Sequence, residues 1–426
     1  MGRRFAIAGC LLGLLGLPTP ALWAQVPTQP ALLPPALHTN DAPLTLQFLE
    51  DLADQYNPIL PRDRAQIDAA RGQATQAGMW NNPRFDTNNP QVFNGRTTLL
   101  NVGFQQEVPV MGKKRLDQAA ANEIARQNEF TLTQDRLILF TNIRQQFYQV
   151  LADQRRIQVL TDLVAVLRSS YETGQKKRQA GESSQADVLL LQLDLQRAEA
   201  QLNSTKALLI GDRKQLGDLV GIPGLVDRDV MGEFSGDYPV FDEESILRFV
   251  TTQNTQVLVA RAVIEQYKFQ LRRAEVEPFP NPYLGPAYQY GLLPGGEQFW
   301  FNIQFDIPIL NRNQGGIRAA RGNLRAAQEN LTTIQNSLLN QAHNLLSQYQ
   351  AAREIVRKFE TEILPNTREL LRLAREGYGK GLTDFATFLQ VQRSLVQANS
   401  DYVDALLNLW NNAVQLSGLL QLEKFR

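Results

Sequence analysis

Residues 101–111 read NVGFQQEVPVM, and residues 302–310 read NIQFDIPIL. In both, apolar and polar residues alternate, and the run stops on a proline. Phe301, Ile303, Phe305 and Ile307 fall on one face of an extended chain, with Asn302, Gln304 and Asp306 on the other. Leu100, Val102, Phe104 and Val108 alternate with Asn101, Gly103, Gln105 and Glu107, Gln106 being the exception. A period of two marks a half-buried β-strand. Pro109 and Pro308 lack the N–H that a ladder needs, so each ends its strand. The two stretches lie about 200 residues apart, and their surroundings repeat at the same interval. Asn82-Pro83 answers to Asn281-Pro282, and AGESSQADVLLLQ (180–192) to KGLTDFATFLQVQ (380–392).

Such self-similarity predicts a duplicated unit. Val188, Leu191, Leu195, Ala198, Leu202 and Leu209 stand at 3/4 spacing, as do Phe388, Val391, Leu395, Ala398, Tyr402 and Leu409. Ile157, Leu160, Val164, Leu167 and Tyr171 continue the pattern. This is a coiled-coil seam used twice. Each half is expected to hold a helix (about 44–78 and 242–276), a β-hairpin (83–109 and 282–308) and a very long helix (about 113–176 and 315–376). A Gly-containing turn then leads to a second long helix (about 184–219 and 384–422). Helices of ~60 residues approach ~90 Å and must pack on neighbours to bury a face. The fold class is therefore mainly α with a small β part. The first repeat runs over 44–220 and the second over 242–426, joined by the Gly/Pro-rich linker 221–241.

Each β region has room for two ~10-residue strands, the length that crosses a bilayer. A soluble sheet on a core fits the alternation, and so does a barrel with lipid outside and water inside. Turn-rich tips lie at NNPQVFNGR (88–96) and GLLPGGE (291–297). Tyr283, Tyr288, Tyr290, Phe299 and Trp300 are candidates for an interfacial aromatic girdle. Four strands cannot close a barrel, and open edges are not tolerated in lipid. A barrel would thus need strands from several copies: two copies give about eight strands, filled by side chains, and three give about twelve, enough for a pore.

The bulk composition narrows the function. The 43 basic residues balance the 43 acidic ones, so there is no electrostatic footprint for nucleic acid. Residues 1–24 read as a signal peptide, with Arg3 and Arg4 before the apolar core Phe5 to Leu17. Residues 25–43 form a Pro-rich leader. Ile7-Ala8-Gly9-Cys10 also resembles a lipobox, though few apolar residues precede Cys10. Cys10 is the only cysteine, so a chain cut after Ala24 has no disulfide and no thiolate metal site. With only His38 and His343 as histidines, no metal cluster, nucleophile–base pair or cofactor site is expected. The Gly112-Lys113 pair is not a phosphate loop: Glu107 stands where a glycine is required and Lys114 where a Ser or Thr is required.

Along nearly all of the mature chain the sequence resembles the TolC-like outer-membrane efflux proteins. The tandem duplication, the Asn-Pro start of each hairpin, the x-Pro strand ends and the turns AGESSQADVLL and KGLTDFATFLQ carry the resemblance. EVPVMGKKR (107–115) looks most like the CzcC-type heavy-metal cation efflux branch. The resemblance implies a homotrimer, with a 12-stranded barrel in outer-membrane lipid above a periplasmic helical tunnel. It also implies docking to a periplasmic adaptor (membrane fusion protein) and an inner-membrane pump, of the RND type. It implies no catalytic chemistry and no cofactor.

On the same resemblance, the hairpin turns become periplasmic tips. Gly181, Glu182, Ser183, Ser184, Gly381, Leu382, Thr383 and Asp384 would contact the adaptor. Their types also suit plain turns, with Gly at positive φ and Ser or Thr as N-caps. Asp187 and Asp384 are candidate aperture acids, or dipole-stabilised caps; Thr387 and Gln390 stand where some relatives carry acids. Pro109, Gly112, Pro308 and Asn311 form the expected barrel-to-tunnel hinge. Lys113, Lys114 and Arg115 oppose the dipole of the helix they open, so their expected partners are acids of a neighbouring protomer or lipid head groups. Ducts of the same fold for drugs, solutes or type I secretion remain open. A non-pore periplasmic adaptor fits less well, because adaptors usually carry one helical hairpin flanked by β-rich domains.

Overall fold

The computed structural model describes residues 44–425 except 94–95, 182, 226–227, 292–296 and 381, with backbone alone for 88–93, 96–100, 291, 379 and 385. The signal segment, Cys10, the whole of the leader, Glu182 and Gly381 lie outside the described residues.

The first half runs α1 (Leu46–Tyr56), α2 (Ile59–Gly78), β1 (Arg84–Phe93), β2 (Arg96–Glu107), α3 (Lys113–Gln179) and α4 (Gln185–Val220). The second half runs α5 (Glu243–Thr252), α6 (Thr255–Val276), β3 (Tyr283–Gly291), β4 (Gln298–Gln304), α7 (Gln314–Lys358), α8 (Leu364–Gly379) and α9 (Phe385–Leu419). The 67 residues of α3 make a rod of about 100 Å.

Three boundaries differ from the expectation. Each opening helix is broken in two. At Asn57-Pro58 the asparagine is extended and bonds the Ile59 N–H through its side chain. Asn254 does the same for Gln256. Each asparagine also donates to the end of the returning long helix of its half: Asn57 Nδ2 to the Leu219 carbonyl (2.7 Å) and Asn254 Nδ2 to the Leu419 carbonyl (3.1 Å). The break in the helix thus closes each half on itself.

The long helix of the second half is also interrupted, by a π-helical turn at Phe359–Ile363 between α7 and α8. Pro365 follows at once, and a proline cannot give the N–H that an α-helical turn requires. Glu360 in the turn accepts bonds from the hydroxyls of Tyr238 and Tyr402, both at 2.7 Å. The turn is thereby tied to the linker and to α9. Finally, β4 ends at Gln304 rather than near Ile307.

The seam residues meet as expected. Leu160, Val164 and Leu167 of α3 form one core with Leu195, Ala198 and Leu202 of α4, flanked by Ile157, Leu163 and Tyr171. Val391, Ala398 and Leu409 of α9 are buried, joined by Val403, Leu406 and Trp410. Tyr148 of α3 stacks on Trp410 at 4.4 Å, so the two halves share one core at mid-height. Beside it lies Arg144, 1% exposed. Its guanidinium pairs with buried Glu50 (2.5 Å) and donates to the carbonyls of Leu422 and Glu423 just beyond α9. Burial pushes the Glu50 carboxyl up, and Arg144 opposes that shift.

Candidate channel wall, junction and tip

The four strands form one antiparallel sheet in the order β1-β2-β3-β4, so the two hairpins are zipped edge to edge. Residues opposite each other in an antiparallel pair share a face. Phe85 faces Phe104, Val102 faces Tyr288, Tyr288 faces Phe299, Pro286 faces Phe301 and Leu284 faces Ile303. This side is almost wholly apolar, and in the single chain it is open: Phe299 is 73% exposed, and Phe85, Phe104, Tyr288, Phe301 and Ile303 are exposed too. The other side pairs Arg84 with Gln105, Asn101 with Gln289, Gly285 with Asn302 and Tyr283 with Gln304.

The register divides the expected aromatic girdle. Tyr288, Tyr290 and Phe299 lie on the apolar face. Tyr283 and Trp300 lie on the polar one, because their spacing from the others is odd in a strand of period two. There Trp300 Nε1 donates to Asn302 Oδ1 at 2.9 Å.

Pro286 stands inside an interior strand, where it cannot donate. The β2–β3 register skips the positions between Gly103/Ala287 and Gln106/Leu284. In that gap Gly285 lies so close to β2 that a Cβ would fall 1.6 Å from the Phe104 carbonyl oxygen.

Pairing continues one step past β2, from Val108 N–H to the Pro282 carbonyl (2.9 Å), and stops at Pro109. Glu107 accepts from Asn81 Nδ2 (2.6 Å) and Asn281 Nδ2 (2.7 Å), and Asn281 Oδ1 takes the Val110 N–H. The chain then turns through Met111 and Gly112, with φ of 54° and 67°, into α3. The equivalent left-handed residue in the second half is Asn313, φ 57°, not the expected Asn311. The second junction is longer, so the hinge falls two positions later; Asn tolerates this conformation best after Gly. Asn311 instead accepts the Asn313 N–H through Oδ1.

The three bases at the start of α3 also separate. Lys113 is buried, 4% exposed. Its ammonium donates to the carbonyls of Phe279 (2.5 Å) and Glu277 (3.3 Å) and pairs with the Glu277 carboxylate at 3.6 Å. The partner of Lys113 is therefore the negative end of α6 in the same chain, and not another protomer or a lipid.

At the far end of α3, Gly181 adopts φ 78° and turns the chain. Ser184 caps α4 in a reciprocal box: its side chain accepts the Asp187 N–H while Asp187 accepts its own N–H. In the second turn the cap is Asp384, which takes the Thr387 N–H at 2.6 Å. Thr383 and Leu382 give their N–H groups to the Gly377 carbonyl. These bonds hold the Asp187 and Asp384 carboxyls below their ordinary range: Ser184 is the main cause for the first and the Thr387 backbone for the second. Asp384 is exposed and Asp187 half-buried, and both remain charged.

The two turns sit side by side across a groove of about 830 Å³, lined by Thr173, Lys177, Asp187, Arg375, Tyr378 and Phe388 among others. Lys177 Nζ donates to the Tyr378 hydroxyl (2.9 Å), and Tyr378 stacks on Phe388 at 5.2 Å. Higher up, Arg393 of α9 pairs with Asp194 of α4. Sequence reasoning missed both cross-links, since nothing in a single helix tells which neighbour it will face.

Among the described residues no group of three His, Cys, Asp or Glu could hold a metal ion. Among the described residues no helix is long and apolar enough to cross a membrane.

Residues 49–221 and 293–420 match the family model described as Outer membrane efflux protein. The chain is 22% identical over 399 residues to the cobalt-zinc-cadmium resistance protein CzcC of Cupriavidus metallidurans, covering 93% of this chain and 94% of that protein. Its fold is similar to that of the outer membrane protein VceC from Vibrio cholerae (TM-score 0.73, 18% identity, 88% of this chain and 96% of that one). It is also similar to the open state of the MtrE outer membrane channel of Neisseria gonorrhoeae (TM-score 0.72, 16% identity, 89% of each).

Proposed function

This chain belongs to the outer membrane efflux protein family, and we propose that three copies of it form the exit duct of a tripartite pump for heavy-metal cations. It is an outer-membrane efflux channel extending into the periplasm, and it carries out no catalysis. The observation that carries the trimer is the sheet, with its exposed apolar face, its polar face and two unpaired edges, β1 and β4. Edges cannot stay open in lipid. Joining β4 of one copy to β1 of the next makes a ring, and three copies give about twelve strands with water inside.

In this reading the chain is two repeats, 44–220 and 242–426, joined by 221–241. The matching clamps of Asn57 and Asn254 support that division. The polar sheet face lines the pore, α3, α4, α7, α8 and α9 build the tunnel wall, and the turns around Gly181, Ser183, Ser184, Leu382, Thr383 and Asp384 meet a periplasmic adaptor. Glu182 and Gly381, next to these residues in the sequence, are proposed for the same contact. Because Asp187 and Asp384 stay charged, each would repeat three times around the tip and attract cations. Heavy-metal cargo is supported by the full-length similarity to CzcC. An inner-membrane pump of the RND type would supply the energy and select the ion.

Two measurements test this. Planar-bilayer recording of the purified chain should show trimer-sized steps favouring cations; a soluble, non-conducting protein would refute the duct. Deleting the gene should sensitise cells to cobalt, zinc or cadmium, whereas sensitivity to hydrophobic drugs alone would overturn the metal assignment.

A further inference from the structure

The rim where the sheet meets the helices exposes large apolar side chains outside any strand. Trp80, Met111, Phe279, Ile307, Ile309 and Leu310 are all exposed, Leu310 at 91%. They are no isolated patch. The alternation Phe299, Phe301, Ile303 of β4 runs on through Phe305 and Ile307 beyond Gln304, where pairing stops, and all five are exposed. The apolar face of the sheet therefore continues past its last hydrogen bonds.

Where that surface ends, the charge becomes positive. Lys114, Arg115 and Arg312 stand one to three residues from the two hinges. Of the neighbouring acids, Glu277 is engaged by Lys113 and Arg273, Asp117 by Arg273 and Glu275 by Arg321, while Glu107 is held by the amides of Asn81 and Asn281. Among the described residues Lys114, Arg115 and Arg312 have no carboxylate within ion-pair distance. Lys114 and Arg115 also oppose the dipole of α3, so the helix itself does not account for them.

We propose that this rim is seated in the periplasm-facing leaflet, its apolar residues at the acyl boundary and Lys114, Arg115 and Arg312 on the phosphates of anionic phospholipids. The proposal rests on the outer-membrane reading above and deepens it by naming the lipid class. An apolar band followed by bases that no carboxylate pairs within ion-pair distance is the order that a bilayer interface complements. An acidic protein partner would match the charges but leave the continuous apolar band uncovered.

The test uses the purified full chain and vesicles of phosphatidylcholine with or without phosphatidylglycerol, read by flotation and by conductance. Each base near an anionic surface is worth about a five-fold gain in affinity, so the three bases of one chain should give the wild type a preference for anionic vesicles of about a hundred-fold, lost in high salt. The triple variant Lys114→Gln/Arg115→Gln/Arg312→Gln should lose most of the preference and still form trimers in neutral detergent. A wild type without preference, or a triple variant that keeps it, overturns the proposal. So does a variant that fails to trimerise in neutral detergent, because the bases would then pair with a second copy. Should the variant not fold, the salt dependence of the wild type decides. A wild type that enters neither vesicle and conducts in neither refutes the channel reading instead.

Discussion

Replacing Lys113 by Met should loosen the joint between sheet and helices, while the same change at Lys114 or Arg115 should not. The Lys113 side chain is 5% exposed and gives its ammonium to two backbone carbonyls, at 2.5 and 3.3 Å. Met keeps most of the stem's packing but offers no donor, and water cannot easily take its place. A hydrogen bond from a charged group is worth about 1.5–3 kcal/mol, and a cation at a helix C-terminus adds about 0.3–1 kcal/mol. The loss for K113M is then about 2–4 kcal/mol, against about 0.5 kcal/mol or less for K114M and R115M. Hydrogen exchange reads this locally. The amides of Val108 and Val110 are bonded to Pro282 and Asn281, beside the Lys113 site. If the joint opens as a unit, their exchange should accelerate by about 30- to 1,000-fold in K113M. Equal exchange in K113M and K114M would refute the reasoning, because the buried lysine would then be no more structural than its half-buried neighbour.

Three further outcomes are expected. Ile303→Arg places a charge on the lipid face and should cost about 2–4 kcal/mol per protomer if it lies near the midplane; refolding into vesicles should fail for it and succeed for Asn302→Arg on the polar face. Gly285→Ala drives a methyl into the Phe104 carbonyl and should split β2 from β3, seen as loss of assembled trimer on semi-native gels, with Gly72→Ala as the tolerated control in open space. Asp153 is buried in α3, and burial, then Asp212, push its carboxyl up to about 6 against Gln149 and Arg156. The folded chain thus holds this proton more tightly than the unfolded one. Stability should fall as pH rises from about 4 to about 6 and level off above. Asp153→Asn should flatten that fall in a denaturation series against pH.

The strands, the seams and the hairpin turns were legible because their periods are local: two for Phe301, Ile303 and Phe305, and 3/4 for Leu195, Ala198 and Leu202. So was the Pro109 stop, because a missing N–H ends a ladder in any surroundings. The turn acids were visible as either caps or ring members; within one chain Asp384 is the N-cap of α9 and Asp187 the third residue of the Ser184 capping box. The split of the opening helices was less legible, since Asn57 and Asn254 break them to reach carbonyls about 165 residues away in sequence.

The sequence by itself determined that the chain is duplicated, that its helices are long and that its strands have one oily side, because each follows from spacing within a few turns or one hairpin. Tertiary structure alone decided which side each aromatic takes in the joined sheet, which of three adjacent bases is buried, and that Asn313 rather than Asn311 forms the second hinge. Those depend on register between strands and on where the end of α6 comes to rest, and neither is encoded in the local order of residues. EVPVMGKKR thus reads as a strand end, a left-handed turn and a lysine that plugs a neighbouring helix.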